Sequence, residues 1–339
     1  MRKAMIIGGP GSMSATAIPV LLERGLKVAV FTLPESPTLG LENQVTFYRG
    51  DRNRPDDLRR AIDDFRPDAV IDYVCFKPDQ AQSLADVLDG RVNHFVFIST
   101  IDACGYPLSC LPMRPDDPLR APIGQYAQDK RRCEELLWEH HAAGRLPVTV
   151  CRPTYNFSNG FVLSFLSPAG GRHWVPRLRA GRPILVPGMG TEFLHASAAV
   201  NTGRMFGHIL ADERAIGKTY TGGHELAMTR DDYVRLVARA AGGPEPVLVH
   251  VPDEVLLAVP AMREAWLWHN VTRFSLAFSM ESFKTDFPQF RWETPLDDAM
   301  SEYVRFHDQT GDFAPLDEEI LDDRIVRAWQ KHTASFTKV

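Results

Sequence analysis

The feature that most constrains the fold is a glycine-rich turn between the first apolar segment and the first helical segment. Ala4–Ile7 form a short apolar run, and Gly8 to Gly11 follow it directly. Glycines allow positive φ angles and a close approach of a phosphate to the backbone, and a following helix directs free N–H groups at that phosphate. A strand, a glycine turn and a helix in this order predict a nucleotide-binding unit, with Gly8, Gly11, Ser12 and Met13 at the phosphate.

The alternation of strand and helix patterns continues to about residue 155. The predicted strands are Lys27–Leu33, Val45–Tyr48, Ala69–Val74, His94–Ser99 and Val148–Cys151, and the predicted helices are Pro55–Phe65, Gln80–Leu88 and Gln125–His140. Strands that alternate with helices of this length form parallel sheets. We expect an α/β fold: a Rossmann-like, doubly wound parallel sheet with a smaller C-terminal α/β lobe that binds the substrate. The core should span residues 1–155 and the lobe residues 156–339, some segments of which return to the core.

Composition limits the class of protein. The 339 residues contain 38 Lys and Arg against 43 Asp and Glu, a net charge of -5, which argues against non-specific nucleic-acid binding. No apolar stretch approaches the roughly 20 residues of a membrane-spanning helix, and the first residues do not resemble a signal peptide. The five cysteines show neither a CxxC pair nor a zinc spacing. We expect a cytoplasmic protein with reduced thiols, no metal site, and no membrane or nucleic-acid partner.

An aromatic cluster lies in the C-terminal part of the chain. Its members are Trp266, Trp268, His269, Phe274, Phe278 and Phe283. We interpret the cluster as lobe core or as an oligomer contact rather than as a cofactor site.

Tyr126 and Lys130 are the candidate catalytic pair. Their spacing of four residues in a predicted helix places both side chains on one face. A nearby ammonium favours the phenolate, which suits proton transfer coupled to hydride transfer at a carbinol carbon. A second match, Tyr73 with Lys77, lies at the end of a predicted strand, where this spacing does not bring side chains together. We interpret that second match as structural.

Hydroxyl side chains end the strand that precedes the Tyr–Lys helix. Ser99 and Thr100 follow Phe95–Ile98 at the carboxyl edge of the predicted sheet, where ligands of such folds bind. They are candidates for contacts to cofactor or substrate, and capping of a helix or turn is the alternative.

The second and third strands bear on the choice of cofactor. The second strand ends at Thr32-Leu33 with no acidic residue at its tip and no arginine nearby, so the sequence selects neither NAD nor NADP. Thr32 remains a candidate cofactor contact. Asp51 and Arg52, after the third strand, either contact the adenine or its ribose or form a solvated flank of the next helix.

These pieces, in this order, resemble the extended short-chain dehydrogenase/reductase superfamily in its NAD-dependent epimerase/dehydratase branch. The matching pieces are Gly8-Gly9-Pro10-Gly11, Gly50-Asp51-Arg52, Phe97-Ile98-Ser99-Thr100, Tyr126 with Lys130, and Arg152-Pro153. The resemblance implies NAD as cofactor, without excluding NADP. It implies Tyr126 as the acid/base, Lys130 at the nicotinamide ribose and Thr100 at the reacting oxygen. It places Val74, Cys75 and Pro153 beside the nicotinamide.

The resemblance also implies a substrate class and an assembly. Typical substrates of the family are nucleotide-activated sugars, so a nucleotide-linked sugar or a nucleoside is expected. Thr100 and Tyr155 are candidate substrate contacts, and Arg177 is a candidate for binding a diphosphate, together with Arg172 and Arg182. A homodimer through the helix that carries Tyr126 is a further expectation from the family.

The sequence departs from the family pattern after Thr100. Dehydratases carry Thr-Asp-Glu there and decarboxylases carry Thr-Ser-Glu, whereas this chain has Thr100-Ile101-Asp102. Ile101 removes the middle polar group, which disfavours simple dehydration or decarboxylation. Asp102 keeps a carboxylate where several relatives place an extra acid/base, and capping of a loop is its alternative role. Cys104 replaces the tyrosine of the family's Val-Tyr-Gly, which indicates an unusual substrate.

The leading functional interpretation is a redox-neutral epimerase or isomerase. Bound NAD⁺ would oxidise a carbinol, and the hydride would return after rotation or proton exchange. The alternative is an NAD(P)H-dependent reductase or dehydrogenase of a secondary metabolite. A non-catalytic nucleotide- or RNA-binding protein is disfavoured by the intact pair of Tyr126 and Lys130 and by the net charge of -5.

Overall fold

The computed structural model of the chain describes residues 2–159 and 171–336. Thirteen strands lie in this part of the chain: β1 Lys3–Ile7, β2 Lys27–Thr32, β3 Thr46–Arg49, β4 Ala69–Asp72, β5 His94–Ile98, β6 Val148–Pro153, β7 Tyr155–Phe157, β8 Ile184–Pro187, β9 Phe193–Leu194, β10 Ala196–Ala198, β11 Thr219–Gly222, β12 Met228–Thr229 and β13 Leu248–Val251.

Twelve α-helices lie in the same part of the chain: α1 Ser14–Glu23, α2 Pro55–Phe65, α3 Pro78–Leu88, α4 Gln125–Ala142, α5 Trp174–Arg179, α6 Ala199–Ile209, α7 Arg230–Ala241, α8 Asp253–Leu257, α9 Pro260–Glu264, α10 Glu281–Asp286, α11 Leu296–Thr310 and α12 Leu321–Phe336. Two shorter turns matter for the site: a 3₁₀ turn at Ile101–Cys104 and a π-helical turn at Trp268–Thr272.

Seven parallel strands form the central sheet, in the order β11-β6-β5-β4-β1-β2-β3. The interior strands β1, β4 and β5 are almost entirely apolar, which is typical of strands covered on both faces. Helices α2, α3 and α4 pack on one face, and α1 and α6 on the other. The predicted doubly wound, Rossmann-like sheet is confirmed. Its strand order reverses between β1 and β4, so the carboxyl ends of these two strands open a crevice for a ligand.

The C-terminal half contributes to both parts of the molecule. β11 is the seventh strand of the central sheet, and α6 packs against α1. The remaining segments surround a second apolar core and include the parallel pair β8–β13. The division into a core of residues 1–155 and a later lobe, some segments of which return to the core, stays a prediction.

Most predicted elements lie within two residues of the observed ones. α2 matches at both ends, whereas β4 ends at Asp72 rather than at Val74. The Asp72 carboxylate accepts a hydrogen bond from the Val74 N–H at 2.8 Å, and this local bond turns the chain out of the sheet.

The residues of the predicted aromatic cluster differ in how far their side chains are buried. Trp268, Phe278 and Phe283 are buried in the apolar cores, but Trp266 is 48% exposed.

None of the helices in the described part of the chain is long and apolar enough to cross a membrane.

Candidate active site

The glycine turn lies between β1 and α1 at the carboxyl edge of the sheet. Gly8 has a φ of +84°, and a Cβ there would lie 2.4 Å from Cγ1 of Val74, so glycine is required. The Gly11 N–H donates to the Ser14 hydroxyl at 2.8 Å. The backbone N–H groups of Ser12 and Met13 have no acceptor among the described residues. These two N–H groups are therefore free to bind an anion at the start of the helix.

This turn borders a cleft of about 760 Å³. Gly11 and Ser12 form one wall of the cleft, and Phe157, Ala199 and Val200 form part of the other. The Ser12 hydroxyl also accepts a hydrogen bond from Ser158 at 2.9 Å. The predicted phosphate-binding turn thus opens onto a cavity large enough for a nucleotide.

At the tip of β2 the structure corrects the sequence analysis, which found no arginine nearby. Thr32 is paired with Arg49 across β2 and β3. The Arg49 guanidinium donates hydrogen bonds to the carbonyl oxygens of Leu33 at 2.9 Å and Ser36 at 2.8 Å. An exposed cation therefore lies beside the strand end that distinguishes NAD from NADP, where the sequence provides no acid.

Arg52 does not extend toward this strand end. Its guanidinium forms an ion pair with the buried Asp72 carboxylate at 2.5 Å, and the Arg52 side chain is 8% exposed. The Asp51 carboxylate accepts a hydrogen bond from the Asn53 N–H at 2.9 Å, which is a local turn. The structure thus ties Arg52 to the end of β4 instead of the adenine, and Asp51 to its own loop.

Lys130 lies in the second turn of α4. It is 1% exposed, and its Nζ donates to the carbonyl oxygens of Cys75 and Ile98, each at 2.7 Å. Burial lowers the pKa of the ammonium. An ammonium has three donors, so one N–H remains after these two bonds. Cys75 contributes its carbonyl to this arrangement, while its thiol is buried.

Tyr126 stands one turn earlier on α4, and its side chain is half-exposed. Its ring lies 6.5 Å from the ring of Phe76, and the Lys130 ammonium lies 4.8 Å from the centre of that same ring. Tyr126 and Lys130 are thus on one side of the helix, as the spacing predicts. Desolvation of the phenol and the charge of Asp102 raise the pKa of Tyr126 to about 12, while a hydrogen bond with Thr100 opposes the increase.

Asp102 lies in the 3₁₀ turn that follows β5. Its carboxylate accepts hydrogen bonds from the hydroxyls of Tyr106 at 2.8 Å, Tyr155 at 3.2 Å and Thr100 at 3.3 Å. Thr100 also caps the turn by accepting the Asp102 N–H at 3.2 Å. Burial raises the pKa of the carboxyl, and the three hydroxyls lower it. The structure thus brings Thr100, Asp102, Tyr126 and Tyr155 together.

Ser99 points away from this group. Its hydroxyl donates to the buried Glu134 carboxylate at 2.5 Å, and Glu134 forms an ion pair with Arg152 at 2.7 Å. Arg152 also donates to the sulfur of Cys104 at 3.8 Å. The Ser99 side chain therefore belongs to a buried network behind the site and not to the cofactor surface.

Arg177 is also placed differently from the expectation. It is 1% exposed, it forms an ion pair with Asp323 of α12 at 2.5 Å, and it donates to the Glu318 carbonyl at 2.6 Å. Arg182 donates to the carbonyl of Leu316 at 2.9 Å. Because these guanidinium groups hold the C-terminal segment, the structure gives Arg177 a structural role in place of the predicted contact to substrate.

A comparison with known proteins places this site in a family. The model of the NAD dependent epimerase/dehydratase family matches residues 4–203, more than half of the chain. The chain belongs to this family. NAD is accordingly the cofactor that the fold and the family indicate.

Individual relatives of the epimerase/dehydratase family are distant. The chain is 26% identical over 215 residues to a 2'-dehydrokanamycin reductase of Streptomyces kanamyceticus, covering 63% of this chain and 60% of that protein. It is 22% identical over 262 residues to a chloroplast stem-loop binding protein of 41 kDa from Arabidopsis thaliana, covering 74% of this chain and 66% of that protein. The match therefore spans about two thirds of the length of each relative.

Solved structures show the same architecture. The structure of a dTDP-glucose 4,6-dehydratase from Bacillus anthracis in complex with NAD aligns with a TM-score of 0.69 and 16% identity. The alignment covers 93% of this chain and all of that one. At this identity the likeness shows the fold.

The residues present fit the cofactor of this family. The free N–H groups of Ser12 and Met13 suit a pyrophosphate, and the third donor of Lys130 suits a ribose hydroxyl. Val74 lies two residues beyond the end of β4, and Pro153 is the last residue of β6; their contacts to the nicotinamide remain a prediction. Across residues 2–159 and 171–336, no group of three or more His, Cys, Asp or Glu side chains could hold a metal ion.

Some functional residues escaped the sequence analysis. Glu134 follows Lys130 by four residues on α4, so a search for polar residues one helical turn away would have found it. Tyr106 lies beyond the 3₁₀ turn that holds Asp102, so helical spacing gives no signal for it. Arg49 gave no such signal, because its place beside Leu33 depends on the pairing of β2 with β3.

Proposed function

We propose that the protein is an NAD-dependent, redox-neutral epimerase or isomerase that acts on a sugar through a transient ketone. One observation carries this proposal: the Thr100 hydroxyl donates to the buried carboxyl of Asp102 at 3.3 Å, and Asp102 and Thr100 both lie close enough to the Tyr126 phenol to shift its pKa. A simple alcohol–ketone interconversion needs one proton-transferring group. A second group beside the first suits proton exchange on the neighbouring carbon.

Three side chains have distinct tasks in this proposal. Tyr126 takes the proton of the carbinol hydroxyl and later returns it, and the Thr100 hydroxyl rotates away from Asp102 to donate a hydrogen bond to the same substrate oxygen. NAD, when bound, would supply the acceptor for the hydride of the carbinol carbon and the donor that returns this hydride to the ketone. The ketone makes the adjacent C–H bond acidic, and Asp102 as the carboxylate removes and returns that proton.

The buried position of Asp102 suits this task. Its pKa is raised by burial, which makes the carboxylate a stronger base than an exposed aspartate. The hydroxyls of Tyr106 and Tyr155 hold the carboxylate in one orientation. A carboxylate held in this way needs little reorganisation during proton transfer.

The substrate follows the family in carrying a sugar, with a nucleotide-linked sugar or a nucleoside as the expected form. The named dTDP-glucose dehydratase acts on such a compound. The arginines predicted to meet a diphosphate are engaged elsewhere, with Arg177 on Asp323 and Arg182 on a carbonyl. A substrate panel should therefore include sugars with and without a nucleotide.

A net reductase is the second candidate, and two observations favour it. The relative at 26% identity is named as a reductase of 2'-dehydrokanamycin. Arg49 at the tip of β2 suits the 2′-phosphate of NADPH, a cofactor that exchanges with solvent in many reductases.

The two candidates differ in deuterium labelling and cofactor consumption. The purified protein is incubated in D₂O with NAD⁺ and, separately, with NADPH, against UDP-glucose, dTDP-glucose and kanamycin oxidised at its 2′ position. The proposed enzyme, which exchanges a proton on the carbon next to the transient ketone, places deuterium on that carbon with no accumulation of NADH. A reductase consumes one NADPH per product and leaves the neighbouring carbon unlabelled, which would overturn the first proposal.

Two variants test the assigned roles. Tyr126→Phe should lower turnover by about 10²- to 10⁴-fold, the usual contribution of a general acid/base. Tyr73→Phe is the matched control, because the Tyr73 hydroxyl has no hydrogen-bond partner among the described residues. Asp102→Asn should abolish the deuterium exchange while a single-turnover oxidation of the carbinol persists.

A further inference from the structure

Trp266 is the exposed member of the aromatic cluster in the C-terminal part of the chain, and it lies directly against the start of α4. A Cβ built on Gly124 would be 2.8 Å from Cζ2 of the Trp266 indole. Gly124 is the N-cap of α4 and has a φ of +83°. The indole therefore covers the backbone two residues before Tyr126.

The surface around this contact is aromatic. The exposed fractions of Phe76, Tyr126 and Trp266 are 44%, 46% and 48%, although the side chains belong to three separate segments. Large aromatic side chains left half-exposed provide flat apolar surface for a ligand ring. Here Phe76 lies against the Tyr126 ring, and Trp266 lies against the residue that caps the helix of Tyr126.

Buried contacts fix the segment that carries Trp266. Trp268 is 2% exposed and belongs to an apolar core with Leu185 and Met262. The fully buried Arg230 donates to the carbonyl oxygens of Thr272 at 2.8 Å and Arg273 at 2.7 Å. These bonds clamp the π-helical turn, an irregularity that is frequent at functional sites. The backbone segment that follows Trp266 is thus fixed by contacts that need no ligand.

The same segment contacts the other side of the site. The ring of Phe274 stacks on Tyr106 at a centroid distance of 6.5 Å, and the Tyr106 hydroxyl donates to Asp102. Residues 266–274 thus reach both the helix of Tyr126 and the partner of Asp102. The segment therefore lies beside two elements of the site, the start of α4 and the tyrosine that holds Asp102.

We propose that Trp266 is the specificity-determining residue of this site and that its indole stacks on the apolar C–H face of the substrate's sugar ring. The inference rests on the proposed function in taking the substrate to be a sugar. Ring stacking of this kind binds the sugar without a charged group and orients its carbinol toward Tyr126. It acts on binding more than on the chemical step, because the indole contacts the ring and not the reacting oxygen.

The experiment compares wild type, Trp266→Ala and Trp266→Phe, all loaded with NAD⁺, against UDP-glucose and methyl α-D-glucopyranoside. Binding is followed by saturation-transfer NMR and calorimetry, which do not need turnover, and activity by the deuterium assay. We expect Trp266→Ala to raise Kd and KM about tenfold, the effect of one lost aromatic stacking contact, with kcat within threefold. Trp266→Phe should recover most of the affinity.

The control is Phe193→Ala, since Phe193 is another half-exposed aromatic of the C-terminal half. In wild type the ring C–H protons of the sugar should receive saturation from aromatic protons, and Trp266→Ala should lose it. Equal Kd values for wild type and Trp266→Ala would overturn the stacking role, whatever the turnover. Sugar binding that depends on Trp266 without any turnover would instead support the stacking and reject the proposed function, and absence of sugar binding to wild type would overturn both.

Discussion

The Tyr155 hydroxyl donates a hydrogen bond to the Asp102 carboxylate at 3.2 Å, across 53 positions of sequence. Tyr155 follows β6 directly, and Asp102 follows β5, so the bond joins two neighbouring strand ends of the sheet. Burial raises the pKa of Asp102, whereas the hydroxyls of Tyr155 and Tyr106 lower it. The pKa of this carboxyl is therefore set by a balance that a single hydroxyl can change.

Tyr155→Phe should move the acid limb of the pH–rate profile to higher pH. The proposed proton exchange needs the ionised carboxylate, so activity rises as Asp102 loses its proton. Removing one donor stabilises the carboxylate less, which raises the pKa of Asp102 further. At a pH above both values, the rate should return toward that of wild type. The measurement is the deuterium exchange rate as a function of pH.

Tyr48→Phe is the control for this experiment, because the Tyr48 hydroxyl bonds Asp64 on the exposed side of α2. Its profile should coincide with that of wild type. An acid limb that stays in place in both Tyr155→Phe and Tyr106→Phe would show that Asp102 does not govern the rate.

Local patterns in the sequence explain the parts of the site that were predicted well. The glycine turn needs Gly8 because of backbone geometry, and Tyr126 and Lys130 share a helix face because of helical periodicity. Thr100 and Asp102 lie at the sheet edge because parallel strands end there. Each of these depends on residues near one another in the chain.

Contacts between distant segments explain what the sequence could not provide. Arg177 resembled other surface arginines until its pairing with Asp323, 146 positions away, placed it in the interior. Ser99 and Thr100 are neighbours with the same chemistry, yet Ser99 meets Glu134 of α4 and Thr100 meets Asp102. Which of two adjacent hydroxyls faces the site depends on the strand's alternation and on its packing partners.

Arg49→Ala should weaken the binding of NADPH more than that of NADH. The guanidinium lies at the tip of β2, where a 2′-phosphate would be placed. A hydrogen bond to a charged group contributes about 1.5–3 kcal/mol, so the loss for NADPH should be about tenfold or more. Fluorescence titration of the two cofactors measures the difference. Arg59→Ala, an exposed arginine of α2, is the control, and equal losses for both cofactors would exclude this role of Arg49.

Glu134→Ala should destabilise the fold strongly. It leaves Arg152, whose side chain is 7% exposed, without its carboxylate partner. Removing one member of a buried pair costs about 3–5 kcal/mol, measurable by urea denaturation. The double variant Glu134→Leu with Arg152→Leu should lose less free energy of unfolding than the sum of the losses in the single variants Glu134→Leu and Arg152→Leu. Additive losses would contradict a coupled pair.

Arg177→Ala should lower stability and leave substrate binding unchanged. Its ion pair with Asp323 joins α5 to α12, with side chains 2% and 14% exposed, so its loss should cost about 3 kcal/mol. Arg179→Ala is the matched control on the same helix, because its pair with Asp308 is 38% and 42% exposed and should contribute less than about 1 kcal/mol. Urea denaturation and KM for UDP-glucose are measured on both variants. A raised KM for Arg177→Ala with an unchanged free energy of unfolding would support a contact between Arg177 and the substrate. Loss of a buried structural ion pair would instead lower the free energy of unfolding.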